Sequence, residues 1–129
     1  MNEHLEKFIQ RLDSFKEYND NWNSYGAKPI SVPLIETCKG VLKTLIDNEV
    51  VPTFIFPTDE SIIFEIIRNH DSRCMLEVFE DDDIVLVLIS KFEEPDAYID
   101  YKLNGILPAI TKLKEWMKNE QSDKKDSNG

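Results

Sequence analysis

Only four glycines, two cysteines and two histidines occur in the 129 residues. Four glycines leave little material for a loop that cradles phosphate, and GxGxxG, P-loop and Gly-x-Ser-x-Gly patterns are all absent. The histidines, His4 and His70, have no nucleophile or acidic pair in a recognisable catalytic arrangement, so no catalytic residue is assigned. Cys38 and Cys74 stand 36 positions apart, in neither a CxxC nor a metal-ligand spacing, and both fall in apolar patterns. Long hydrophobic runs are missing as well. The longest, Ile84 to Ile89, is far short of the roughly 20 residues that span a bilayer. Basic residues are scarce beside acidic ones: 15 Lys and Arg against 25 Asp and Glu, a net charge of -10 and a pI near 4.6. Direct binding to nucleic acid or to an anionic membrane needs the opposite balance.

What is present suits one domain. At this length a chain buries roughly two-thirds of the surface it exposes when unfolded, enough for one core. The N-terminus carries no basic segment leading into an apolar run, and a reducing, cytoplasmic setting is expected. Leu5, Phe8, Ile9, Leu12, Phe15 and Tyr18 repeat at helical spacing and predict a helix over 3–18. Ser31, followed by Pro33, predicts the cap of a second helix ending near Asn48, with Leu34, Ile35, Cys38, Val41, Leu42 and Leu45 inward.

After Pro52 the period drops to two. Residues 53–56, 62–68, 73–79 and 84–90 read as four strands separated by turn-forming segments, short enough to require an antiparallel meander. Ile84 to Ile89 is apolar at every position, which predicts a strand covered on both faces. Ala97 to Tyr101 is a candidate short edge strand. A third helix is expected from about Asn104, with Leu103, Ile106, Leu107, Ile110, Leu113 and Met117 inward. The expected fold class is α+β: two N-terminal helices, a four-stranded antiparallel meander and a C-terminal helix. Residues 1–120 form the domain, and 121–129 a polar tail whose composition predicts disorder.

The charge is concentrated. Residues 51–102 hold 13 acidic and four basic residues, a net -9, much of it in Glu80-Asp81-Asp82-Asp83 and Glu93-Glu94-Pro95-Asp96. A one-signed field of this kind steers a basic partner on encounter. A hairpin centred on His70-Asp71-Ser72 puts Glu65 directly opposite Glu77, flanked by Ile63, Ile67, Met75 and Phe79. Opposed like charges cost a few tenths to about 1 kcal/mol, and a half-apolar surround suits a protein interface.

Trp22, Tyr25 and Lys28 form a second candidate site, a loop able to line a ligand slot, to anchor an interface, or to plug the end of the helix pair. The stretch Trp22-Asn23-Ser24-Tyr25-Gly26-Ala27-Lys28-Pro29-Ile30-Ser31 resembles a W-[DN]-x-Y-G-A-x-P-x-S loop of small bacterial and phage proteins. In them it precedes a helix and then a few strands. The resemblance spans Trp22 to Ile89 as a pattern, with the ten-residue loop its specific part. It implies an α+β fold and a prokaryotic or phage setting, and it implies no function.

The expectation is a non-catalytic interaction protein, an inhibitor or antitoxin-like factor or a phage anti-defence factor of anti-CRISPR type. It would present Glu65, Glu77, Asp81, Asp82, Asp83, Glu93 and Glu94 to a basic partner such as a nuclease, a toxin or a nucleic-acid-binding effector, without cofactor or metal. Two alternatives remain open. One is a nucleotide-signal binder stacking its ligand on Trp22 and Tyr25, with Lys28, Arg68 or Arg73 at phosphate. The other is a divalent-metal enzyme using Glu65 and Glu77.

Overall fold

The structure, a computed structural model, describes residues 3–19, 22, 26, 28–91 and 94–128, with 91, 94–98 and 119–128 by backbone alone. Helix α1 runs Glu3–Ser14 and tightens into a 3₁₀ turn at Phe15–Glu17, where the sequence predicts one continuous helix. Helix α2, Val32–Asp47, begins as expected. The Ser31 hydroxyl accepts from the Leu34 N–H at 3.3 Å, and Pro33 sits in the first turn, where its missing N–H costs nothing. All six residues predicted to face inward on α2 are buried. Removing the cap oxygen in Ser31→Ala is expected to destabilise the fold by about 1 kcal/mol in urea titration, with the slope unchanged.

Five strands follow, in spatial order β1-β2-β3-β4-β5 and antiparallel throughout: β1 Phe54–Pro57, β2 Ser61–Ile67, β3 Arg73–Phe79, β4 Asp83–Lys91 and β5 Glu94–Lys102. The meander is therefore five-stranded, one strand more than the sequence predicts. What reads as a short edge candidate is a nine-residue strand paired along β4 from Asp83↔Lys102 to Lys91↔Glu94. An all-apolar strand such as β4 is unfavourable at a sheet edge, and β5 removes it from one.

Alternation splits the sheet into two unlike faces. Ile55, Ile62, Phe64, Ile66, Cys74, Leu76, Val78, Ile84, Leu86 and Leu88 share one buried cluster with Leu12 and Phe15, the inward face of α2, and Ile110, Leu113 and Trp116 of the last helix. All three helices thus cover the same side. Arg11 bridges the near edge, where its Nε donates to the Ile55 carbonyl of β1 at 3.1 Å. A cation held at an exposed strand edge discourages pairing with another chain.

The last helix, α3, covers Ile106–Asn128 after a 3₁₀ turn at Leu103–Gly105. Of the inward stripe expected from the sequence, Ile110 and Leu113 lie in the core and Leu103, Ile106 and Met117 pack against it; Leu107 is the exception. Leu107 is 56% exposed instead of inward, while Ala109 and Trp116 join Ile110 and Leu113 in the interior. Arg68 locks the helix down. Its guanidinium lies 3.6 Å over the Trp116 ring, donates to the Trp116 carbonyl, and donates through Nε to the Ser72 hydroxyl at 3.1 Å. Trp116 Nε1 in turn donates to Ser90 at 3.0 Å. The backbone of α3 continues through Asn128, across the stretch for which composition predicts disorder. Among the described residues, no helix is long and apolar enough to cross a membrane.

Candidate functional site

With the helices on one side, the other side of the sheet faces outward, and it is far from polar. Phe54 is 55% exposed and Ile67 43%, while Phe56, Ile63, Met75, Phe79 and Val85 are half-buried. Val87 and Ile89 lie on this side too, buried yet outside the core cluster. Within β4, Ile84 to Ile89 is apolar at every position, and all of these residues but Val85 are buried. Contiguous apolar surface of this kind on a small acidic chain marks an interaction site more often than an accident of composition.

Glu65 and Glu77 both stand on this outer face, as parity requires, but they do not oppose each other directly. The register pairs Glu65 with Met75 and Ile63 with Glu77, two residues away from the pairing expected from the sequence. The turn explains the shift. Asn69 Oδ1 accepts from the backbone N–H groups of Asp71 and Ser72 at 3.0 and 3.1 Å, and the hairpin is centred on His70. A two-residue slip preserves the face while turning a direct neighbour into a diagonal one, typically 7–8 Å away. The like-charge penalty shrinks accordingly.

The two glutamates are held differently. Glu65 is 13% exposed at its side chain and has Arg73 at 3.9 Å, a loose pair. Glu77 accepts a short hydrogen bond from the hydroxyl of Ser61, which is itself buried and lies 2.6 Å from the Thr58 hydroxyl. Thr58 Oγ1 also accepts from the N–H groups of Glu60 and Ser61, so the β1–β2 turn fixes the whole relay. Among the described residues no cation pairs with Glu77. Ser61 and Thr58 were not among the site residues predicted from sequence; the signal was the parity shared by Ser61 and Glu77 and a Thr-x-x-Ser turn.

The acidic turn at the corner of this face has structural work for three of its four residues. Asp82 adopts a left-handed conformation, φ 66°, and donates its N–H to the Phe79 carbonyl at 3.2 Å. That is the pattern of a three-residue hairpin loop, for which Asp is among the better non-glycine residues. Its carbonyl accepts from the Leu103 N–H at 2.9 Å. Asp81 Oδ1 accepts from the Asp83 N–H at 3.2 Å, and Asp83 pairs with Lys102 of β5. Glu93 lies outside the described residues, and Glu94 is placed by its backbone alone, opposite Lys91.

The Lys102 ammonium holds the Asp83 carboxyl below the ordinary carboxylate range, and Asp83 raises Lys102 in return. A lowered carboxyl contributes stability above its unfolded value near 3.8 and loses it as pH falls through the lower folded value. A raised ammonium contributes below 10.5 and loses that contribution as pH rises through the higher folded value. Lys102→Met should therefore move the Asp83 midpoint back up, as read by NMR titration of its carboxyl carbon. An unmoved midpoint would mean that the pair is not formed in solution.

Two clefts of about 550 Å³ flank this corner and share Phe79 and Asp81. One lies between Gly26, Lys28 and Pro29 of the α1–α2 loop and Asp59, Glu60, Glu80 and Asp81 of the sheet turns. A single lysine among four carboxylates is a poor phosphate site. Trp22 is occupied structurally: it continues a chain of tilted rings from Phe15 through Tyr18, and its Nε1 donates to the Lys28 carbonyl at 2.9 Å. Tyr25 lies outside the described residues. Arg68 is stacked on Trp116, and Arg73 lies 3.9 Å from Glu65.

Burial pushes the Cys38 and Cys74 thiols up to about 12, which keeps both protonated near neutral pH. His70 is 94% exposed in its turn, with Nδ1 2.8 Å from Asp71. Among the described residues, no three His, Cys, Asp or Glu side chains gather to hold a metal ion. Glu65 and Glu77 alone make a weak ligand set. Comparison with protein-family models, with curated proteins and with solved structures finds no match to this chain.

Proposed function

We propose that the chain is a non-catalytic interaction protein of the inhibitor or antitoxin type, docking a basic protein through the outer face of its sheet. One observation carries this reading: three helices pack on one side of the sheet, and among the described residues the other side is apolar, partly exposed and studded with carboxylates. The acidic corner supplies long-range attraction, and the apolar face supplies contact area. A nuclease, a toxin or a nucleic-acid-binding effector such as a CRISPR complex is a fitting target, its phosphate-binding groove taking the carboxylates of Glu65, Glu77 and Asp81–Asp83 in place of phosphate. A prokaryotic or phage cytoplasm is the setting we propose, in keeping with the resemblance of the Trp22–Ser31 loop.

Tagged chain incubated in native host lysate at low and at high salt tests it. A stoichiometric basic protein released by salt is expected, and it should be lost when the outer face is altered. Once that protein is in hand, charge reversal across Asp81–Asp83 should slow association more than it speeds dissociation, because screened, exposed charges act on encounter. Binding indifferent to salt would contradict the proposal, as would a chain that recovers no protein and co-elutes with a nucleotide.

A further inference from the structure

Deepening that reading, the geometry points to Glu77 as a preformed socket for one arginine set in an apolar surface of the partner. Glu77 is flanked on all four sides by apolar residues of the outer face: Ile63 and Val85 opposite it on the neighbouring strands, Met75 and Phe79 two positions away along its own. A ring of apolar groups that excludes water around one polar contact is the usual anatomy of an interface hot spot. The carboxylate is already oriented, since the buried Ser61 hydroxyl holds one of its oxygens, and Ser61 is held by Thr58. Preorganisation of this kind lowers the entropy lost on binding.

Serine is a neutral donor. Glu77 therefore has no cation against it among the described residues, whereas Asp83 has Lys102 and Glu65 has Arg73. The complement is a cation that tolerates an apolar setting. Arginine fits better than lysine, because its planar guanidinium is weakly hydrated, packs on aromatic faces such as that of Phe79, and meets a carboxylate in a fork. A second copy of this chain is the wrong occupant: each copy carries -10, and stacking two outer faces would bring glutamates together at their centres. The apolar stripe of an amphipathic helix, bearing one arginine, supplies the layer that the uncovered face lacks.

The test uses the full chain and two synthetic amphipathic helical peptides that differ only in carrying arginine or norleucine at the centre of the apolar stripe. Amide NMR titration locates the contact and gives both dissociation constants. The arginine peptide should bind about tenfold more tightly or better, as charge-assisted pairs in apolar surrounds do, with shifts centred on β2 and β3. Glu77→Gln should abolish that preference without a change in melting temperature. Ser61→Ala should reduce it severalfold, which a purely structural serine would not do. A preference that survives Glu77→Gln overturns the socket. Docking on the outer face with no preference overturns it too, yet leaves the broader docking reading standing. If the peptides and the partner captured from lysate all leave the outer-face amides unmoved, both fail. Concentration-dependent dimerisation through this face in sedimentation would overturn the choice of a foreign partner.

Discussion

Trp116→Ala is expected to remove about 3–5 kcal/mol of unfolding free energy, whereas Leu107→Ala should stay within about 0.5 kcal/mol. The contrast follows from where α3 places the two side chains. Trp116 is 7% exposed, carries the Arg68 guanidinium on its ring and donates to Ser90, while Leu107 is 56% exposed. A domain of this size typically has only 5–15 kcal/mol to lose, so the tryptophan variant should be close to unfolded at 37 °C. Arg68→Ala should reproduce part of the loss, since it removes the ring contact and the Nε hydrogen bond to the Ser72 hydroxyl. Circular dichroism during urea titration reads all three. A larger cost at Leu107 than at Trp116 would mean that α3 packs in a different orientation from the one described.

Met75→Lys should leave the fold intact and weaken capture of the partner by about 100-fold, roughly 3 kcal/mol. Met75 is the cross-strand partner of Glu65, so a lysine there gains an opposite charge worth a few tenths to about 1 kcal/mol. The same lysine places a cation beside Glu77, in the middle of the surface meant to receive one. Stability and binding therefore separate in a single variant, which few core or corner substitutions allow. Equal capture by the variant and the parent chain would move the interface off the sheet.

Much of the fold was legible in the residues because local rules and tertiary packing agree there. The inward stripe of α2, its serine cap and the two faces of the β2–β3 hairpin all follow from spacing. Where the reading failed, a detail that periodicity does not encode was decisive. The hairpin register depends on which backbone groups Asn69 captures, and two adjacent turn centres share the same alternation. Strand β5 hid behind glutamate, proline and aspartate in Glu94–Asp96, although β4 needed a neighbour. On α3, Leu107 alone leaves the expected stripe, while the other members pack in or against the core.

The candidate site was only half legible. Glu65 and Glu77 were marked by parity, but the difference between them, one loosely paired and one fixed by Ser61, belongs to the β1–β2 turn. The acidic corner was conspicuous in sequence, and its charges turn out to serve the hairpin and β5 as well as the surface. On the function proposed, mimicry of phosphate would rest on the face and its corner together, not on charge count.

Oxidative footprinting of the chain, free and with its captured partner, tests the outer-face interface most directly. Protection of Met75, Phe79 and Phe54 with Trp22 unchanged is the predicted pattern; protection of Trp22 with those three still reactive would contradict it.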